Sequence, residues 1–354
     1  MKILYILHSH TLGGAEKHLI TLMDGVSKYG ITPIYAGQTN SWLHKEVQKR
    51  GYRFYNVPMH GFYDIVSMTK LAMIAKKERV HLIHGHLTRG AFYAGITSKL
   101  SRIPSIATAH STNAGKHFGH VKHIIAVSEA VKKFLIQKGY SYTNITKIYN
   151  GIEDQYENSF TKRAENRELF EIKDDEIALC VIGRFLKDKG QDIAINALKQ
   201  CKSKNLKLFL IGYDQTEWGK NIHKIVNELN LSSKVIFTGQ KDDIPALLSA
   251  MDIYLMPSRR EAFPLALLEA CSMQKAIIAS NVGGIPEIIE NDNNGYLFEC
   301  ENINELAKAI DILANDKYKR KKFGDLAREK FIENFTSEQM IKNTINLYQK
   351  IIGI

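Results

Sequence analysis

The stretch D-I-Y-L-M-P-S-R-R-E-A-F-P-L-A-L-L-E, from Asp252 to Glu269, reads as a strand, a loop and the opening of a helix. Asp252 to Pro257 is a short apolar run of the kind that a buried strand uses. Pro264 suits the first position of the helix, where a missing N–H costs nothing. Glu261 then lies in the loop at the helix mouth, and Glu269 one to two turns inside. The mouth offers the backbone N–H groups of Phe263, Leu265 and Ala266 together with the positive end of the helix dipole, a combination suited to a phosphate. The two carboxylates are poor phosphate ligands but good acceptors for hydroxyl protons. A ligand carrying both hydroxyls and phosphates, such as a nucleotide-sugar, satisfies both parts. Acids at a helix start also serve stability or solubility alone, and the pair by itself does not decide between the two.

The same strand–loop–helix unit recurs on either side. Strands are predicted at Ile3–Leu7, Thr32–Ala36, Arg53–Val57, His81–His84, Ser105–Ala109 and His123–Val127, with amphipathic stretches such as Ala15–Lys28 and Thr88–Leu100 between them. The pattern restarts at Ile177–Ile182 and continues through Leu206–Ile211, Val235–Thr238, Asp252–Met256, Ala276–Ala279 and Gly295–Phe298. Such alternation predicts an α/β protein with two doubly wound parallel sheets. In such sheets ligands gather at the carboxyl ends of the strands. Asp154 to Asp175 is polar and aperiodic and reads as a linker, and Ser337–Ile351 reads as a closing amphipathic helix. The boundaries predicted are residues 1–160, 161–335 and 336–354.

A chain of 354 residues is long enough for two cores. No apolar run reaches the length needed to span a bilayer, and the opening M-K-I-L-Y-I-L-H-S-H reads as a first strand rather than a signal peptide. The four cysteines, Cys180, Cys201, Cys271 and Cys300, are far apart and show no zinc or disulfide spacing. A cytoplasmic location is therefore expected. The net charge of +11 is unevenly spread. Residues 1–165 hold 22 Lys+Arg against 10 Asp+Glu, and the remainder 26 against 27. The first half also holds 12 of the 13 histidines. A basic half attracts an anionic substrate, acidic lipid head groups or nucleic acid, or is merely a solvated surface. No nucleic-acid recognition module accompanies it.

Three further sites offer chemistry. In G-R-F-L-K-D-K-G (Gly183–Gly190), Arg184 and Lys189 follow a predicted strand, and their side chains can converge on a diphosphate. In T-L-G-G-A-E (Thr11–Glu16), Gly13 and Gly14 permit close backbone approach to a phosphate or sugar, without the G-x-G-x-x-G of a dinucleotide site. His110 follows S-I-A-T-A and should project from a strand's carboxyl end as a proton donor or acceptor. Strand alternation puts His84 and His86 on one face and His81 off it, so these three are not expected to bind a metal. No D-x-D pair is present to hold a cation against a diphosphate.

The ordered set G-G-A-E (13–16), T-A-H (108–110), A-V-S-E (126–129), Y-N-G-I (149–152), G-R-x4-K-G (183–190), P-S-x2-E-x-F-P-x4-E (257–269), V-G-G-I-P-E (282–287) and N-G-Y-L-F (294–298) resembles the family 4 glycosyltransferases over essentially the whole chain. The resemblance implies a GT-B fold: two Rossmann-like domains facing a central cleft, an N-terminal acceptor domain, a C-terminal donor domain, and a last helix returning to the first. It implies a retaining transferase moving a sugar from a nucleotide diphosphate sugar, UDP-sugar favoured, to a glycan or lipid-linked acceptor in surface polysaccharide or lipopolysaccharide assembly. By position, Arg184 and Lys189 would neutralise the leaving diphosphate. Glu269 would bind the ribose, Glu261 the sugar hydroxyls and His110 the donor sugar. Gly183, Phe263, Pro264 and Leu265, with Gly13 and Gly14, would shape the phosphate cradle. No metal or other cofactor is implied. Peripheral association with the inner face of an acidic membrane is expected of the basic half. Where relatives carry a second Gly-rich turn, this chain has I-G-Y-D-Q with Gly212 alone, so their base and sugar preferences do not carry over. A nucleotide-sugar epimerase of the same fold, and a non-catalytic nucleotide-sugar-binding partner subunit, remain alternatives.

Overall fold

The computed structural model describes residues 1–112, 117–156 and 162–354. The chain divides into two compact units, Met1–Ile152 with Phe335–Ile354, and Glu153–Asn334. Residue 160, where the sequence places the domain boundary, lies outside the described residues.

Among the described residues the first unit holds seven strands: β1 (Lys2–Leu7), β2 (Thr32–Gly37), β3 (Arg53–Asn56), β4 (Leu82–His86), β5 (Ser105–Ala109), β6 (His123–Ala126) and β7 (Ile145–Lys147). All pair in parallel, in the order β3-β2-β1-β4-β5-β6-β7. The order reverses between β1 and β4, the place where open α/β sheets bind ligands. Leu7 pairs with His86, so His8 and Leu87 leave the sheet side by side. His86 in turn pairs with Thr108, two residues before His110.

Side-chain alternation splits the core by face. Ile3, Tyr5 and Leu7 pack with Leu19, Leu22 and Met23 of the helix Gly14–Lys28. Leu4 and Ile6 face the other way, with Leu71, Ile74 and Tyr93. The last helix, Ser337–Ile352, joins the first of these clusters through Met340, Ile341, Ile345 and Tyr348. It starts with a capping box between Thr336 and Gln339. It also lies close to the first helix: a Cβ on Gly25 would stand 2.0 Å from Ile341 Cδ1.

The second unit repeats the plan with β8 (Ile177–Ile182), β9 (Leu206–Ile211), β10 (Val235–Gly239), β11 (Ile253–Met256), β12 (Ala276–Ser280) and β13 (Tyr296–Phe298). They too are all parallel, in the order β10-β9-β8-β11-β12-β13, with the reversal between β8 and β11. Helices cover both faces, which is why these strands read as continuous apolar runs.

Two sequence expectations need correction. The polar stretch 154–175 is not simply a linker, because it contains the helix Arg163–Leu169. Arg163 and Arg167 of that helix clasp Asp252 at 2.6 and 3.1 Å. Asp252 in turn precedes β11 rather than opening it, and its carboxylate accepts from Ala178 N–H at 2.8 Å. The charges that made the stretch look unstructured are thus what attach it to the sheet.

Candidate active site

In the second unit, the loop after β8 and the loop after β11 leave adjacent strands at the reversal point. Gly190 closes the first loop with φ +67°, and a Cβ there would stand 1.9 Å from the Pro257 carbonyl. Only glycine allows this approach. Arg259 fastens the loops further: its N–H donates to the Asp188 carbonyl at 2.8 Å, and its guanidinium pairs with Asp192 at 2.7 Å. Gly283 of the V-G-G turn packs onto the Glu261 backbone, where a Cβ would come within 1.7 Å of the carbonyl. Glu261 is therefore held from two sides.

These clamps bring Lys189 and Glu261 together. Lys189 Nζ donates to Glu261 Oε1 at 2.6 Å, and Ser258 Oγ donates to the same oxygen at 2.9 Å. The Glu261 side chain is only 9 % exposed, so its cation partner matters more than it would at a surface. Arg184 is exposed, and its side chain has no hydrogen-bond or ion-pair partner among the described residues. The guanidinium projects from the same loop as Lys189, two residues beyond the end of β8. Gly183 stands between strand and guanidinium.

The helix Leu265–Ser272 begins one residue later than the sequence suggests. Pro264 is its N-cap, with φ −77° and ψ 122°, rather than its first helical residue. A proline in extended geometry still lacks an N–H, and no side chain caps the helix. The first-turn amides therefore keep their anion-binding character. Phe263 and Pro264 are buried beneath this mouth, and Leu265 and Glu269 are half-buried along the helix. Tyr254, which sequence reasoning missed, is fully buried in β11. Burial, and then the neighbouring Cys180 followed by Glu261 and Glu269, hold its phenol well above the ordinary range. An alternating strand gives no signal that marks this tyrosine as different from its apolar neighbours.

In the first unit, Gly13 is the N-cap of the helix Gly14–Lys28, again without a side-chain cap. His110 leaves β5 half-buried, as predicted for a strand end. His84 and His86 do share a face, with ring centroids 4.2 Å apart. His81 lies outside β4 and accepts from Lys2 N–H at 3.0 Å. His84 is locked at both nitrogens, by Tyr348 at 2.6 Å and Thr108 at 2.7 Å. The histidines that do assemble are His18, His86 and His110. His86 Nδ1 lies 3.0 Å from His110 Nε2, and the rings of His18 and His110 meet edge-on at 4.8 Å. His18 sits four residues beyond Gly14, one helical turn, which is the signal that would have found it. Burial keeps His86 and His110 well below the ordinary imidazole range and His18 at about 4, so all three rings are neutral near pH 7.

Arg89 was also missed. It lies in the first turn of the helix Leu87–Ser101. Its Nη1 meets His8 Nε2 at 2.6 Å and the Met59 carbonyl at 3.3 Å. No carboxylate pairs with it among the described residues. Burial, and then the Arg89 charge, lower His8 to about 4, so His8 accepts as a neutral ring and leaves the guanidinium charge uncompensated.

Two Rossmann-like parallel sheets, each reversing at its centre, make this a two-domain protein of the GT-B fold. Residues 162–330 match the family model for glycosyl transferases group 1, and residues 12–156 match that for glycosyltransferase family 4. The chain is 28% identical to an N-acetyl-alpha-D-glucosaminyl L-malate synthase of Bacillus anthracis, over 96% of this chain and 90% of the relative. It is 24% identical to a UDP-Gal:alpha-D-GlcNAc-diphosphoundecaprenol alpha-1,3-galactosyltransferase of Escherichia coli, over 72% of this chain and 71% of that one. The Anabaena protein Alr3699/HepE, solved in complex with UDP and glucose, superposes with a TM-score of 0.88, covering 99% of this chain and 100% of that chain at 22% identity. The chain belongs to the family 4 glycosyltransferases.

Proposed function

We propose that the protein transfers a sugar, with retention of anomeric configuration, from a nucleotide diphosphate sugar to a glycan or lipid-linked acceptor. The observation that carries this reading is the second-unit loop. It presents Arg184 with no anionic partner among the described residues, next to a Lys189–Glu261 pair and an uncapped helix mouth. Breaking the bond to the anomeric carbon leaves negative charge on the diphosphate, so positive groups already in place lower that barrier most directly. Arg184 forks the departing phosphates, while Lys189 adds charge and keeps Glu261 oriented. Glu261 accepts from hydroxyls of the transferred sugar, and Glu269 from the ribose. In the second unit the amides at Phe263 and Leu265 and the backbone of Gly183 contact the phosphates, with Pro264 fixing the mouth; the uncapped helix start at Gly13 and Gly14 offers amides of the same kind in the first unit. His110, a neutral ring, hydrogen-bonds the donor sugar. The acceptor oxygen bonds to the anomeric carbon on the face from which the diphosphate departs, and the departing phosphate takes the acceptor proton, so no enzymic nucleophile takes part. Arg184 and Lys189 supply the positive charge for the leaving diphosphate.

UDP is proposed as the nucleotide, since the Anabaena neighbour is solved with UDP and the E. coli relative is named for UDP-Gal; the turn with Gly212 alone is where this chain departs from its relatives and where its base choice is decided. Arg89, which pairs with no carboxylate among the described residues, suits an acceptor bearing a phosphate or other anionic group. Residues 1–165 carry 22 basic against 10 acidic residues, which supports docking on an acidic membrane where such lipid-linked acceptors reside. Assembly of a surface polysaccharide or lipopolysaccharide is the corresponding role. No helix of the described residues is long and apolar enough to cross a membrane.

The test is to incubate the protein with UDP-sugars and a polyprenyl-diphosphate-linked sugar and assign the product anomer by NMR. A product with the donor's configuration is expected. Inversion would overturn the mechanism, and rearrangement of the donor without an acceptor would replace transfer by epimerisation.

A further inference from the structure

His18, His86 and His110 come from three elements that only the sheet order brings together: the first helix, the end of β4 and the end of β5. One ring nitrogen from each lies within 4.8 Å of the others. His86 Nδ1 and His110 Nε2, at 3.0 Å, already approach more closely than two nitrogen ligands of a tetrahedral zinc, which stand roughly 3.3 Å apart for Zn–N bonds of about 2.0–2.1 Å.

A second observation points to a ligand. His18 Nδ1 is buried and has no hydrogen-bond partner among the described residues. His18 is 5 % exposed, so water on an open surface does not supply the missing bond. A buried polar nitrogen without a partner costs about 1–3 kcal/mol and calls for an explanation. His84, beside His86, has both nitrogens satisfied and stands apart as a structural histidine. The three rings are neutral at pH 7, and an ion between His86 Nδ1 and His110 Nε2 takes the place of the hydrogen bond they now share, with both rings in the tautomer that leaves these nitrogens unprotonated. Three such rings with no carboxylate among them match a borderline cation such as zinc rather than magnesium or calcium.

We propose that His18, His86 and His110 form a three-histidine site for Zn²⁺ in the first unit, with the fourth coordination position open. The ion takes no part in sugar transfer. A His110 lone pair given to zinc is withdrawn from the donor sugar, so bound zinc is an inhibitor; this last clause rests on the role proposed for His110 above.

The experiment uses the full chain, stripped of metal by chelator dialysis, with the metal alone and no nucleotide or sugar. Zn²⁺ is titrated against a chromophoric chelator, and Co²⁺ binding is followed by absorption. One ion per chain is expected, with the intense visible bands of tetrahedral cobalt and no sulfur charge-transfer band. Binding should weaken as pH falls and the imidazoles protonate. His18→Gln should weaken it by at least about tenfold, while His10→Ala, at an exposed histidine outside the triad, should leave it unchanged. Absence of saturable binding, a pale octahedral cobalt spectrum, sulfur bands, or undiminished affinity in His18→Gln would each overturn the proposal. If His18→Gln does not fold, His110→Gln takes its place in the titration, and undiminished affinity there overturns the proposal. Because no donor is present, failure here leaves the glycosyl-transfer reading untouched.

Discussion

Arg184 and Lys189 occupy one loop but are not equivalent. Arg184 is exposed and has no side-chain partner among the described residues, so Arg184→Ala should leave stability within about 0.5 kcal/mol of wild type. Its kcat/KM should nevertheless fall by on the order of a hundred- to a thousandfold, as for loss of one preorganised charge-stabilising donor. Lys189 holds the nearly buried Glu261, so Lys189→Ala should lower activity and also lower stability by on the order of 1–3 kcal/mol. Urea denaturation beside steady-state kinetics separates the two; equal stability losses would contradict the pairing. The buried histidines carry a pH signature. His18, His84, His86 and His110 are held neutral by burial, with folded-state values below the ordinary 6.5. Below about pH 6.5 the unfolded chain binds protons that the folded chain refuses, so stability should fall as pH drops towards 5 and be unaffected above pH 7. Each such ring contributes up to about 1.4 kcal/mol per pH unit in that window. A urea midpoint that rises on acidification would contradict the burial of these rings.

At the scale of elements, Gly190 and Tyr348 are the joints. Gly190→Ala adds a Cβ against the Pro257 carbonyl at positive φ, and should cost more than about 1 kcal/mol while loosening the loop that carries Arg184 and Lys189. Nucleotide binding should weaken with it, and undisturbed binding and melting would contradict the clamp. Tyr348→Phe removes the hydroxyl that meets His84 Nδ1 from the last helix, leaving a buried nitrogen unpaired at about 1–3 kcal/mol. These joints also mark where the sequence stopped being informative. β8 was legible because both its faces are buried, which makes I-A-L-C-V-I a continuous apolar run. β7 was not, since three residues, I-T-K, at a sheet edge carry no period. The helix Arg163–Leu169 was illegible for another reason: its one buried residue is Asn166, and its attachment is ionic rather than apolar. Within the site, Glu261 and Glu269 declared themselves because their spacing is local. The contact of Lys189 with Glu261 spans 72 residues, and the His18–His86–His110 group needs the order of three strands and a helix. Neither follows from spacing alone.

For the whole molecule, the charge asymmetry and the two repeated sheets set the expectations. Retention on vesicles rich in anionic lipid should be measurable at low salt and should fall as ionic strength rises past the range where surface charges are screened. Binding indifferent to salt, or none, would contradict an electrostatic membrane contact. The central claim concerns the second unit, where a nucleotide diphosphate is expected to meet Arg184. Thermal melting of the full chain with UDP, GDP, ADP and CMP, beside the Arg184→Ala variant, tests it most directly. The account predicts stabilisation by UDP, about 2.7 kcal/mol at a concentration near a hundred times its Kd, and loss of that stabilisation in the variant. No shift with any nucleotide, or an equal shift in Arg184→Ala, would contradict it.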